Sequence, residues 1–459
     1  MKVFIRTYGC QMNERDSERV AELLRRRGHV IAENDRDAEV FLVNSCSVRG
    51  KAEDKAIGKL RILIRDARRR GGRAVFGVMG CMVQRMGAEL FDRVKGLDFA
   101  VGTHRLHTIP LVLDAVLAGR GPILDAAVEI GAPEDGDTHE KGRISAFLNI
   151  LLGCDRRCSY CIVPDVRGRQ WSRSAESVIA EARHVAANGA TEITLLGQSV
   201  MSYGRGNLVW PPEFRSPMGF REPFPALLEA LSAIPGLRRI RFTSGHPSDC
   251  TREICRAMAT LPKLCPHLHL PLQSGSDNIL ARMNRGYTAG EYREAVRRLR
   301  AALPGIALTT DVIVGYPGET EAQFLATRAL MAEIRFDNAF IFKYSPRPGT
   351  PAAAFPDDVP ESEKLSRNHI LLEDQDKWCL DINKKLIGQR MSVLVEGQSR
   401  RNPGRWAGRT DSNKTVIFEP ASSTRPGDYL DVVIERVMPQ TLYGRGGGES
   451  GENGCRNSH

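Results

Sequence analysis

The stretch Gly153-Cys154-Asp155-Arg156-Arg157-Cys158-Ser159-Tyr160-Cys161 limits what this chain can fold into more than any other. Its cysteines stand at C-x3-C-x2-C spacing, directly behind the apolar run 146–152, which reads as a strand. The fold must therefore present Cys154, Cys158 and Cys161 together on a tight loop at a strand end. Three thiolates on one loop can hold three irons of a cubane cluster and leave the fourth open to a substrate or cofactor. Thiolate ligation is the rule for iron–sulfur clusters. A structural zinc loop is the competing reading. It wants two C-x2-C pairs or Cys/His pairs, and this spacing has neither.

Behind the loop the pattern is strand, then helix, repeated. Strands are expected at 146–152, 192–196, 239–243, 267–270, 307–314 and 338–342, with helices at 175–188, 225–232, 252–259, 289–301 and 321–334. Six such units across 144–383 predict an α/β fold, a partial (β/α)6 barrel whose function sits at the carboxyl ends of its strands. Gly197-Gln198-Ser199, Ser244-Gly245-His246-Pro247, Leu272-Gln273-Ser274-Gly275 and Gly315-Tyr316-Pro317-Gly318-Glu319-Thr320 all fall at those ends. The stretch 204–224, with Trp210-Pro211-Pro212, reads as an inserted surface loop without a role.

Residues 1–130 alternate in the same way. Strands at 2–7, 39–44 and 73–79, with helices at 17–27, 51–70 and 110–118, predict an open parallel α/β sheet. Cys10, Cys46 and Cys81 each follow one of these strands. Ligands of parallel sheets bind beyond the carboxyl ends of the strands, so three neighbouring strands would bring three thiols to one edge. Free cysteines are often small core residues, but core cysteines belong inside strands and these lie past them. A second three-cysteine cluster is the expectation. Cys250, Cys255, Cys265 and Cys379 read instead as core thiols.

Residues 131–143 are polar and rich in breakers, a linker. A charged helix at 361–384 leads to strands at 390–396, 404–409, 415–418 and 429–437, a small OB-like β-barrel over 384–443. Arg400, Arg401, Arg405, Arg409 and Lys414 make it basic. Residues 444–459, including Cys455, read as a disordered Gly-rich tail.

With 459 residues, two to four domains are expected. Its 42% hydrophobic and 26% charged residues are ordinary for a soluble globular protein. No run approaches the length of a membrane helix, and Met1–Thr7 is too short and too charged for a signal peptide. A cytoplasmic protein with reduced thiols is expected, so its eleven cysteines point to metal before disulfides. The net charge of +10 favours a polyanionic partner such as RNA.

With Tyr160 before its last cysteine, the loop resembles the radical S-adenosylmethionine (SAM) superfamily. The C-terminal barrel resembles the TRAM domain, an RNA-binding module. Taken together, the chain is similar to the radical SAM methylthiotransferases. The resemblance is borne by Thr7–Glu18, Asn44-Ser45-Cys46-Ser47-Val48-Arg49, Gly80-Cys81-Met82, Arg167-Gly168-Arg169, Leu270–Ser276, Arg285-Gly286-Tyr287-Thr288, Gly315–Thr320 and Phe342–Thr350. It implies two [4Fe-4S] clusters, one on Cys154, Cys158 and Cys161 that binds SAM, and one on Cys10, Cys46 and Cys81 with its own open iron. The residues implied to contact SAM are Tyr160, Gly197, Gln198, Ser244, Gln273, Arg285 and Asp311, with Gln198 suited to the amine and Arg285 to the carboxylate.

Gly9-Cys10-Gln11-Met12-Asn13 is similar to the branch acting on isopentenyladenosine in tRNA. That implies 2-methylthiolation of N6-isopentenyladenosine at tRNA position 37, with one SAM giving the methyl group and a second the 5′-deoxyadenosyl radical. The implied partners are the anticodon stem-loop and an electron donor such as flavodoxin or ferredoxin. The sulfur donor stays open, and a monomer away from membranes is expected. Asp165 and Gln170-Trp171 depart from the family pattern without touching a cysteine. Two alternatives stand beside this reading. One is a methylthiotransferase for threonylcarbamoyl-adenosine in tRNA or a ribosomal-protein aspartate. The other is a non-enzymatic Fe–S RNA-binding sensor, which would not need motifs at six strand ends.

Overall fold

The computed structural model describes residues 1–47, 50–69, 71, 74–129, 131, 138–208 and 216–449. Two compact units emerge, Met1–Pro235 with Ser345–Phe355, and Gly236–Tyr344 with Pro356–His459.

The first unit opens with the parallel sheet. It has strands β1 (Lys2–Tyr8), β2 (Val30–Ile31), β3 (Val40–Ser45), β4 (Val75–Met79), β5 (Phe99–Val101) and β6 (Ile123–Asp125), in the order β2-β1-β3-β4-β5-β6. Every neighbouring pair is parallel. Such a sheet is covered on both faces, so its inner strands are apolar throughout, and β3 and β4 are buried along their whole length. Alternate residues feed two cores. Phe41, Val43, Phe76 and Val78 pack with Leu60 and Ile64 of helix α2 (after α1, Gln11–Arg26; α2 is Gly50–Arg69). Val40, Leu42 and Val75 pack with Val20 and Leu24 of α1.

Three strands were expected and six are present. The extra ones run two or three residues, too short for alternation to reveal. Helix α1 starts at Gln11 rather than at 17, because its first turn is polar and capped by Cys10 instead of being marked by apolar spacing. Helices α3 (Cys81–Met86), α4 (Glu89–Arg93) and α5 (Ile109–Leu117) complete this layer.

The apolar run 146–152 is two strands, not one. β7 (Ser145–Asn149) lies parallel to β10 (Glu192–Leu196), while β8 (Leu151–Leu152) pairs antiparallel with β9 (Trp171–Ser172). The chain changes partners at Ile150. Its N–H still donates to the Leu196 carbonyl at 3.0 Å, and its carbonyl accepts from Arg173 N–H at 3.0 Å. This offset carries the cysteine loop off the sheet edge. Helices α6 (Val163–Arg167) and α7 (Ala175–Ala187) follow. Of the expected linker, 132–137 lie outside the described residues, but Thr138 and His139 are buried rather than solvated. Trp210-Pro211-Pro212 of the expected insertion also lie outside the described residues.

In the second unit β11 (Arg239–Phe242) precedes the parallel sheet β12 (His267–His269), β13 (Ala307–Val314) and β14 (Asn338–Lys343). The Gly315–Thr320 motif is a strut here. Glu319 is 4% exposed, accepts from Gly315 N–H at 2.6 Å and pairs with Arg367 at 2.9 Å. Gly315 has φ +68, and a Cβ there would meet Lys364 Cγ at 2.3 Å, so only glycine fits. The four read core cysteines are all buried.

The C-terminal barrel is closed by five strands, β15 (Arg390–Gln398), β16 (Trp406–Thr410), β17 (Thr415–Glu419), β18 (Tyr429–Val437) and β19 (Leu442–Glu449), in the order β15-β16-β17-β19-β18. β19 corrects the expected tail, since residues 444–449 belong to it and 450–459 lie outside the described residues. Its glycines read as disorder, yet a Cβ at Gly444 would meet the Val433 carbonyl at 2.3 Å. The barrel is tied to β11. Arg239 donates to the Arg409 and Ser392 carbonyls, and Arg241 to those of Asp411 and Thr410, at 2.7–2.9 Å. Among the described residues no helix is long and apolar enough to cross a membrane.

Candidate functional site

Cys10 caps α1 after β1, Cys46 follows β3, and Cys81 opens α3 after β4. Because β1, β3 and β4 are neighbours in the sheet, these positions share its carboxyl edge. The side chains meet. Cys46 is within hydrogen-bonding reach of both Cys10 and Cys81, and these contacts hold the Cys10 thiol at about 6 and the Cys81 thiol at about 7, below the ordinary 9.0. Cys46, the shared donor, is pushed up by the same two contacts. Burial opposes the thiolate at Cys10 and Cys81, and the charge of Arg167 offsets it.

The loops carrying this trio are laced from beneath. Asn13 Nδ2 donates to Asn44 Oδ1 at 3.0 Å, and Asn44 Nδ2 donates to the Asn13 carbonyl at 2.8 Å and to Ser17 Oγ at 3.0 Å. Both asparagines are fully buried. Gly80 has φ +96, and a Cβ would meet Asn44 Oδ1 at 2.4 Å, so the lacing requires glycine before Cys81. Beyond the trio, Arg85 grips Glu53 through two hydrogen bonds of 2.9 and 2.7 Å.

The nine-residue loop holds Cys158 buried and Cys154 and Cys161 half-buried. Cys154 N–H donates to the Gly168 carbonyl at 3.1 Å, and Cys161 N–H to the Cys158 carbonyl at 3.0 Å. Gly153 sits at φ +69 with the Arg169 and Gly168 carbonyls 2.1 and 2.5 Å from where a Cβ would be, which fixes the turn into the loop. Burial raises the Cys154 thiol. None of the ten described cysteines is joined in a disulfide. Among the described residues no three His, Cys, Asp or Glu side chains are spaced to hold a single metal ion. A cubane asks for something different, since each thiolate binds its own corner. Two sets of three thiols and no carboxylate ligand is the donor chemistry of such a cluster.

The expected SAM contacts fall into two groups. In the first unit, Tyr160 is half-buried on the loop and Gly197 packs against Leu151. The Gln198 side-chain oxygen is buried without a hydrogen-bond partner. Asn149 at the end of β7, which spacing did not single out, has the same orphaned oxygen, and it stands in register with Leu196 of β10. Two unpartnered acceptors beside the loop suit a ligand that brings N–H donors, as an amine does.

In the second unit, Ser244 and Gln273 hold left-handed backbone at φ +63 and +66, rare for residues with side chains. Asp311 accepts from His269 at 3.2 Å. Arg285 is buried and donates to Tyr287 Oη at 3.2 Å. His246 accepts from Ser248 N–H and stacks edge-on to Tyr287.

Sequence reasoning missed Arg167 and Asp16. Arg167 Nε donates to Cys81 Sγ at 3.3 Å and Nη2 to Asp16 Oδ2 at 2.6 Å. Both residues stand in stretches that bear the family resemblance, but no spacing rule joins positions so far apart.

Family models match in three places: the radical SAM superfamily over residues 148–331, the "Uncharacterized protein family UPF0004" over 2–102, and the TRAM domain over 384–445. The chain is 41% identical over 447 residues to a tRNA-2-methylthio-N(6)-dimethylallyladenosine synthase of Methylacidiphilum infernorum, covering 96% of this chain and 94% of that one. It is 44% identical to the synthase of that name from Geobacter metallireducens, covering 96% and 97%. Among solved structures, the radical SAM methyltransferase TsrM from Kitasatospora setae superposes with TM-score 0.56 over 88% of this chain and 81% of its own, at 15% identity. That likeness speaks to the fold alone.

Proposed function

The chain belongs to the family of tRNA-2-methylthio-N(6)-dimethylallyladenosine synthases, radical SAM proteins with a TRAM domain, and on that premise we propose that it methylthiolates N6-isopentenyladenosine beside the tRNA anticodon. The observation that supports this best is the meeting of Cys10, Cys46 and Cys81 at one sheet edge. A radical SAM protein needs one cluster for SAM, and a second three-thiol site is what sulfur insertion adds. When bound, the cluster and SAM supply the 5′-deoxyadenosyl radical; the protein binds, orients and excludes water.

In this reading 1–130 carry the auxiliary cluster, 144–383 the radical chemistry, and 384–443 the RNA contact. Cys154, Cys158 and Cys161 hold the SAM-binding cluster, and Tyr160 lies alongside it. Gln198, with Asn149, takes the amine of SAM, and Gly197 lets the chain approach closely. Ser244, Gln273, Asp311 and Arg285 are available as polar ligand contacts in the second unit. Arg239 and Arg241 hold the barrel to β11, so bound RNA is oriented against a strand rather than hung on a tether. The protein works as a cytoplasmic monomer fed by flavodoxin or ferredoxin.

The test is nucleoside analysis of tRNA from cells lacking the gene. The methylthio-isopentenyl adenosine peak should vanish and return on complementation. A peak that persists rejects this substrate. Reconstituted protein given SAM and a reductant should release 5′-deoxyadenosine and contain iron for two cubanes.

A further inference from the structure

The seven residues 162–168 lie between the two cysteine trios and touch both. Ile162 and Val166 form a buried cluster with Cys81. The Gly168 carbonyl accepts from Cys154 N–H at 3.1 Å. The Val166 carbonyl is held by Thr103 Oγ1 at 2.6 Å. Arg167 ends helix α6, which begins two residues after Cys161. It is 6% exposed.

A guanidinium stays charged at any working pH, and a buried charge must be paired and hydrogen-bonded. Among the described residues Arg167 has one carboxylate partner, Asp16, itself 3% exposed and on the helix capped by Cys10. Its Nε is left to point at Cys81 Sγ, 3.3 Å away. Helix α1 thus places the anchor, α6 the guanidinium, and α3 the sulfur.

We propose that Arg167 is a positioning residue, held by Asp16, that fixes the Cys81 thiolate and sets the reduction potential of the cluster on Cys10, Cys46 and Cys81. The inference rests on the two-cluster reading. Hydrogen bonds to sulfur and local charge are what tune such potentials. Reduction adds one electron to the cluster, and a fixed N–H donor with a positive charge stabilises the more negative state.

The experiment uses the full chain with Cys154, Cys158 and Cys161 changed to Ala, so that only the auxiliary cluster loads. Asp16→Asn/Arg167→Met in that background removes the N–H donor to the sulfur and leaves no carboxylate stranded, so the shift it reads is mainly the donor's, while Arg167→Lys keeps the charge and loses the fork. Iron content and the midpoint potential, followed by electron paramagnetic resonance with dithionite as reductant, are compared with the parent. The double variant should keep its iron and be reduced at least tenfold less favourably, about 59 mV more negative for one electron. Arg167→Lys should shift by less. An unchanged potential in the double variant overturns the proposal. Loss of iron from the double variant also overturns it, by making the pair a folding requirement only. If the parent itself takes up no iron at this site, the two-cluster reading has failed, which is a separate result.

Discussion

Glu181 on α7 is the hub of an ion-pair network inside the first unit, and its replacement by Gln gives the sharpest stability test. Its carboxylate is 16% exposed and takes Arg173, His139 at 2.5 Å and Arg15 at 3.4 Å. Burial works to raise this carboxyl. The hydrogen bond from His139 and the charges of Arg173 and Arg15 outweigh it and hold it at about 2, against an ordinary 4.5. That difference favours the charged form by about 3 kcal/mol. Stranding the partners of a buried ion costs about 3–5 kcal/mol, the same size. At about 2–4 °C per kcal/mol for a unit of this length, Glu181→Gln should lower the Tm at pH 7 by about 6–12 °C.

The pH profile carries a second signature. Glu18 is likewise opposed by burial and held at about 2 by His139 and Arg15. Burial lowers His139, and its hydrogen bonds to Glu18 and Glu181 outweigh that and raise it above 6.5. The carboxylates therefore contribute stability above about pH 4.5 and lose it as pH falls through about 2. The His139 contribution is complete below about pH 6.5 and is lost as pH rises through its raised value. The network is strongest between about pH 4.5 and 6.5, and Glu181→Gln should flatten both arms. Scanning calorimetry of anaerobic protein from about pH 2 to about pH 9, spanning both arms, is the assay. A fall under about 2 °C at pH 7, or an unaltered profile, would refute the reasoning.

Cys158→Ala should halve the iron and abolish 5′-deoxyadenosine release, whereas Cys46→Ala should leave that release intact and stop sulfur insertion; identical behaviour of the two removes the division of labour. Gln198→Ala should weaken SAM binding about tenfold by equilibrium dialysis, the worth of one hydrogen bond, and an unchanged Kd would show that the orphaned oxygen serves no ligand. Arg241→Met strips the donor from the Thr410 and Asp411 carbonyls, so limited proteolysis between β16 and β17 should quicken; a constant rate would mean that β11 does not steady the barrel.

Much of this architecture could be read from local pattern. Long apolar strands such as β3 and β13 announce themselves by composition, and the cysteines that follow strands do so by position. Features set by close approach stayed hidden. The run 146–152 looks like one strand because both pieces are apolar, and it breaks where Ile150 donates its N–H to Leu196 and turns its carbonyl to Arg173 N–H. β19 looks like a tail because its glycines are there to let neighbouring backbone in. The breaker-rich stretch near 138 looked solvated, yet Arg15 donates to the Thr138 carbonyl at 2.9 Å and buries it.

Sequence by itself determined that two trios of thiols exist and that each stands where a strand ends, because strand period and loop position are local properties. It raised the expectation of iron–sulfur chemistry, since three thiolates can hold three irons of a cubane and leave the fourth open. Tertiary structure alone decided that Cys46 reaches both Cys10 and Cys81, and that Arg167 and Asp16, 151 positions apart, close a salt bridge beside Cys81. Such pairings depend on which strands become neighbours and how helices pack over them. Those choices are made by the burial of the whole chain at once, and no window of sequence contains them.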